Sequence, residues 1–127
     1  MSAYSKINLM DLDNSAQAKA AGVDARFARS HIDSEHLGVS RFRYPPNFKP
    51  TDGHSHREQE EVYVVVAGSG RARRNDDEFD IGPWDVVRVA PSTIRGFAAG
   101  QDGLELLAVG SDRPAGGDGQ PAKDWWT

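Results

Sequence analysis

The sequence predicts an all-β fold, an antiparallel sandwich or small barrel, and three observations support this. Strand-like runs are short and are interrupted at close intervals by Gly, Pro, Asn and Asp. The run "VYVVV" at 62–66 is apolar on both faces, so it needs cover on both sides. No long amphipathic helix breaks the series. The length of 127 residues suits one domain with a single core.

The elements follow in order. "NSAQAKAAG" at 14–22 is the best helical candidate, with Asn14 or Ser15 to cap it and Gly22 to stop it. It spans two turns at most and has little apolar face. "DARFARSHI" and "LGVSRFRY" at 37–44 read as strands. On the second, alternation places Ser40, Phe42 and Tyr44 on one face and Arg41 and Arg43 on the other. "PPNFKPTDG" ends that ladder, because its three prolines cannot donate to it. After "VYVVV", "AGSG" at 67–70 is expected to turn a hairpin, "RARR" to return, and "NDD" to turn again before "EFDI". Ion pairs between "RARR" and "DDEFD" are expected across the strands. "WDVVRVA" and "LELLAVG" are two further runs, separated by "AGQDG". Trp84 is expected to pack at the turn entering the first of them. The tail from Ser111 looks like a linker but ends in Trp125 and Trp126, which are expected to dock on the barrel or on a neighbouring subunit.

Composition narrows the function classes. A net charge of −4, with "RARR" as the only basic cluster, offers no footprint for nucleic acid. Cysteine is absent, so any metal ligands must come from His, Asp and Glu. No apolar stretch approaches the roughly 18 residues of a membrane span. The N-terminus lacks the cationic start and apolar core of a signal peptide, and a cytoplasmic location is the expectation.

The chemistry concentrates in "GHSHREQEE" at 53–61. His54 and His56 are two apart, so on an extended segment they face the same way. Two imidazoles facing one point suit a divalent transition metal, and a carboxylate would complete a two-His, one-carboxylate set with open positions. Glu58, Glu60 and Glu61 are all candidates. Glu60 and Glu61 must point to opposite faces of a strand, and periodicity does not choose between them.

These residues resemble the first motif of the cupins, G-x5-H-x-H-x3or4-E-x6-G. His54, His56, Glu61 and Gly68 match it in type and spacing, and the x6-G element selects Glu61. Phe48 stands at the leading glycine. The second motif, G-x5-P-x-G-x2-H-x3-N, lies over "WDVVRVAPSTIRGFAA" at 84–99. Its rhythm is kept, but Trp84, Ala90, Ser92 and Ala99 replace its named Gly, Pro, Gly and Asn. Arg95 stands where the fourth metal ligand, a His, is expected. The resemblance covers roughly residues 35–110 and implies a double-stranded β-helix, or jelly-roll barrel, often found as a homodimer. The chain then divides into an N-terminal extension with a strand (1–34), the barrel (35–110) and a C-terminal tail (111–127).

Arg95 leaves two arrangements open. A guanidinium stays protonated and has no lone pair for a metal. In one arrangement Arg95 pairs with Glu61 and the pair takes the place of the metal. In the other it turns away, and His54, His56 and Glu61 hold Fe, Mn, Ni or Zn. Two functions follow. One is binding of a small acidic or oxygenated ligand, with Arg95, Tyr44, Phe42 and Phe97 in the pocket. The other is a metal-dependent enzyme of dioxygenase, isomerase or decarboxylase type. A third reading, an interaction module with a filled barrel, requires that no pocket open near His54.

Overall fold

A computed structural model describes residues 3–127. It contains eight strands: β1 (Asp24–Phe27), β2 (Gly38–Tyr44), β3 (Gly53–His56), β4 (Glu61–Arg74), β5 (Asp77–Ile81), β6 (Val86–Val89), β7 (Arg95–Gly110) and β8 (Gly119–Ala122). All the strand pairings are antiparallel. The long strands β4 and β7 pair with each other from Glu61↔Gly110 to Arg74↔Arg95. Each of them belongs to two leaves of one curled sheet. The first leaf runs β1, β2, the end of β7, the start of β4, then β6. The second runs β8, β3, the start of β7, the end of β4, then β5. This is the jelly-roll barrel that the resemblance implies.

The core lies between the leaves and consists of Tyr63, Val65, Ala72, Ile81, Val89, Phe97, Leu104, Leu106 and Ala108. Tyr63 and Val65 point inward from β4 by strict alternation, which turns Val62 and Val64 to the outer face. The second leaf is carried by strands that the sequence marks poorly. β3 is only "GHSH", and β8 is "GQPA".

Two expected breaks are absent. "AGSG" does not turn a hairpin, and "RARR" continues β4 instead of returning. The register shifts between Val65 and Ala67 and again between Gly68 and Gly70, so the segment is a bulge that bends β4 from one leaf into the other. Gly68 has φ +74, and a Cβ there would lie 2.1 Å from the Gly103 carbonyl oxygen. "AGQDG" likewise lies inside β7, opposite that bulge. The glycines are used for strand bending and close backbone approach.

Other expectations fare variously. The hairpin turn falls at Asn75, in "NDD", where φ is +49. Arg71 meets Glu78 at 3.3 Å across the β4–β5 hairpin, as expected. The 14–22 segment forms only a 3₁₀ turn at Lys19–Ala21, stopped by Gly22 in a left-handed conformation. Asn14 bonds to the backbone of Ala16, Val23 and Ala25, which favours a turn over a helix. "DARFARSHI" is a strand only to Phe27 and then becomes a 3₁₀ turn at Arg29–His31.

Trp84 corrects a further expectation. It does not pack, since 73% of it is exposed, yet its φ of +72 is the glycine-like conformation. Left-handed backbone costs a non-glycine residue about 1–2 kcal/mol. Glycine's greater unfolded-state freedom offsets about half of that. Trp84→Gly is therefore expected to leave the melting temperature unchanged or raise it by a few degrees. A fall of more than about 5 °C in thermal melts would mean that the indole carries packing after all.

Candidate metal centre

The barrel's two leaves bring the motif residues together from separate strands. His54 and His56 lie on β3, in the second leaf, and both face inward because they are two apart. Glu61 opens β4 in the first leaf, with Tyr63 on the same face. His56 Nε2 is 3.1 Å and His54 Nε2 3.6 Å from Glu61 Oε1. One donor atom from each of the three residues lies within 4.8 Å of the others. The imidazole rings are 5.1 Å apart and nearly perpendicular. Glu60, by contrast, faces outward to Arg88 on β6.

The carboxylate is ionised and fixed. Burial pushes the Glu61 pKa up, but the nearby His54 and His56 rings and the Tyr63 hydroxyl outweigh it and hold the group well below the usual carboxylate range. The Tyr63 hydroxyl donates to Glu61 Oε1 at 2.6 Å. Tyr63's own pKa is raised, by burial first and by the Glu61 charge second. Sequence reasoning missed Tyr63 as a site residue, although alternation from Glu61 places it on the same face.

Asp118 was also missed, and no sequence signal points to it within a Gly-rich tail. β8 pairs with β3 in the register His56↔Gly119, and that places the preceding Asp118 beside His56. Its Oδ1 is 2.8 Å from His56 Nδ1. Its Oδ2 accepts from the backbone N–H groups of Glu58 at 2.7 Å and Gln59 at 2.9 Å. Burial would raise the Asp118 pKa, but those two N–H groups and His56 hold it down, to about 2. His56 is shifted up, by Glu61 first, against its burial and with help from Asp118. His56 Nε2 is buried and makes no well-aligned hydrogen bond, because the ring approaches Glu61 off-line.

Arg95 faces His54 in the β3–β7 register and is 1% exposed. Its Nη2 is 3.8 Å from Glu61 Oε1, beyond hydrogen-bond distance. The guanidinium instead donates to the carbonyls of Pro91 and Ala90, each at 3.3 Å. Arg95 thus sits behind Glu61 as a buried counter-charge and neither displaces the histidines nor closes tightly on the carboxylate.

A cavity of about 800 Å³ opens at the centre, with His54, His56, Glu61, Phe42, Tyr44 and Asp118 among its lining. An open pocket beside His54 counts against a filled barrel. Phe42 and Tyr44 stack at 6.4 Å along one wall, continuing from Ser40 as alternation predicts. Burial, then the Glu61 charge, raises the Tyr44 pKa. Arg95 and Phe97 are not part of the lining. Phe97 packs on Tyr63 at 4.6 Å within the core. Strand β7 carries both residues at its start, and both are buried there. His31 and His36 lie outside the site, and His36 meets Asp112 at the surface, 3.1 Å away.

No family model matches the sequence, and no curated protein matches it. Solved structures do resemble the fold. A cupin protein from Bacteroides fragilis is 20% identical, with a TM-score of 0.70 over 91% of this chain and 89% of that one. Oxalate decarboxylase from Bacillus subtilis is 23% identical, with a TM-score of 0.72 over 85% of this chain. This chain spans only 29% of that enzyme's length. A cupin-superfamily sugar phosphate isomerase from Silicibacter pomeroyi is 21% identical, with a TM-score of 0.71, covering 86% of this chain and 76% of that one. Among the described residues no helix is long and apolar enough to cross a membrane.

Proposed function

We propose that this chain, which has the cupin fold, holds a divalent transition metal on His54, His56 and Glu61 and binds a small acidic or oxygenated molecule beside it. One observation carries the reading: three donors converge at the cavity, and the buried His56 Nε2 has no hydrogen-bond partner there. Ligands about 2.1 Å from a common ion lie roughly 3 Å apart at right angles. The His56–Glu61 separation of 3.1 Å fits that spacing, and His54 lies 3.6 Å from the same carboxylate oxygen. Two imidazoles and one carboxylate without thiolate suit Fe, Mn, Ni or Zn.

When bound, such an ion would supply Lewis-acid polarisation of a ligand oxygen. The chain's own residues would do the rest. Tyr63 fixes the Glu61 carboxylate, and Phe42 and Tyr44 present a flat apolar wall to the ligand's body. Arg95 already neutralises Glu61, so an added divalent ion leaves net positive charge at the centre. That favours an anionic ligand, such as a carboxylate or a phosphate. The same centre would suit an enzyme of dioxygenase, isomerase or decarboxylase type, because its three donor residues line the cavity. Homodimer formation belongs to this reading as well. Val62, Val64 and the 64%-exposed Val86 form an outer apolar strip suited to a second copy.

A second reading keeps the site free of metal, with the Arg95–Glu61 pair in its place. The observation in its favour is that a 1%-exposed guanidinium needs a nearby anion, and among the described residues Glu61 is the one within 4 Å. Elemental analysis of protein purified without a His tag or chelator separates the two. About one transition-metal ion per chain is expected, falling below about a tenth for His56→Ala. Folded wild-type protein that takes up none of Fe, Mn, Ni or Zn on supplementation would establish the metal-free alternative.

A further inference from the structure

We infer that Asp118 is a positioning residue for the metal centre, holding His56 as the tautomer with its proton on Nδ1 and its Nε2 lone pair toward the ion. This rests on the metal reading above. An ionised carboxylate only accepts, so the ring nitrogen 2.8 Å from it must donate. In the neutral ring the other nitrogen is then an acceptor, which is what a metal requires. The Asp118 side chain is wholly shielded from solvent, so no water competes for the contact.

The same carboxylate sets a second dimension of the site. Its Oδ2 holds the N–H groups of Glu58 and Gln59, in the short link between β3 and β4. The link is further tied by Gln59, whose side chain donates to the Ser111 carbonyl at 3.2 Å. One carboxylate therefore both orients the ring at the end of β3 and anchors the loop that delivers Glu61 at the start of β4. It comes from the tail, held in place by β8 against β3 and by the buried Trp126 beyond it. The tail thus completes the metal site as well as covering the barrel.

Asp118→Asn tests this with little change in shape. An amide that accepts from His56 turns its NH₂ toward the Glu58 and Gln59 donors, and one that accepts from those donors turns its NH₂ toward His56. Metal affinity, measured by competition with a chromophoric chelator, is expected to fall about 10–100-fold. In metal-free wild type at about pH 9, above the ordinary imidazole range, ring ¹⁵N shifts should show His56 protonated on Nδ1. In Asp118→Asn they should show a mixture of tautomers. An Nε2-protonated His56 in the wild type would overturn the inference, as would folded Asp118→Asn that binds metal within about twofold of wild type. If the wild type binds no metal, the metal reading fails, while the tautomer measurement still decides what Asp118 does. If Asp118→Asn does not fold, the wild-type spectrum alone decides.

Discussion

Trp126→Ala is expected to destabilise the chain by about 3–5 kcal/mol, the range for deleting a buried large aromatic. Trp126 is 4% exposed although it is the penultimate residue. Its backbone N–H donates to the Thr51 carbonyl at 2.8 Å and seats the ring, and the Lys49 ammonium sits 5.4 Å from the ring centroid. Trp125 adds a second anchor. The Arg73 guanidinium lies 4.4 Å from the Trp125 ring centroid and donates to its carbonyl at 2.7 Å. Gly53 and Gly96 leave room for that indole, since a Cβ on Gly53 would lie 2.4 Å from Trp125 Cε3. Thermal melts should show a fall of about 10–20 °C. Because the anchor also holds Asp118, metal affinity should fall with it. A loss under about 1 kcal/mol would mean that the tail does not belong to the cooperative unit.

Glu61→Gln is expected to cost about 2–3 kcal/mol and to abolish stoichiometric metal binding. The substitution keeps the volume but leaves the buried Arg95 without its anion. Stranding one member of a buried pair costs about 3–5 kcal/mol. The 3.8 Å separation and the carbonyl contacts of Arg95 place this site at or below the low end. The double variant Glu61→Gln, Arg95→Met should recover most of the lost stability, because an apolar side chain needs no counter-charge. Denaturant unfolding of the two single variants and the double variant measures this directly. Additive losses would show that Arg95 and Glu61 do not act on each other.

Local patterning was a good guide wherever one strand's alternation decided the outcome. Ser40, Phe42 and Tyr44 line the cavity together, and His54 and His56 face one point. Patterning failed where a glycine had more than one use. Gly68 supplies positive φ to a hairpin or to a bulge equally well, and only pairing with β7 on the far side of the barrel makes it a bulge. β3 and β8 were hard to see because each is four residues long and neither has an apolar face of its own.

The order of residues alone determined the all-β class, the inward pair His54 and His56 and, through the resemblance, Glu61 as their carboxylate. Each depends on spacings of a few residues, which strand geometry turns into direction. The tertiary structure decided the contacts between residues far apart in the chain. Asp118 reaches His56 across 62 positions, and Trp126 is buried beside β3. Arg95 is a buried counter-charge behind Glu61 and not a wall of the cavity, a placement set by its register opposite His54. Such contacts arise from strand register and closure of the two leaves, and no local pattern of side chains encodes them.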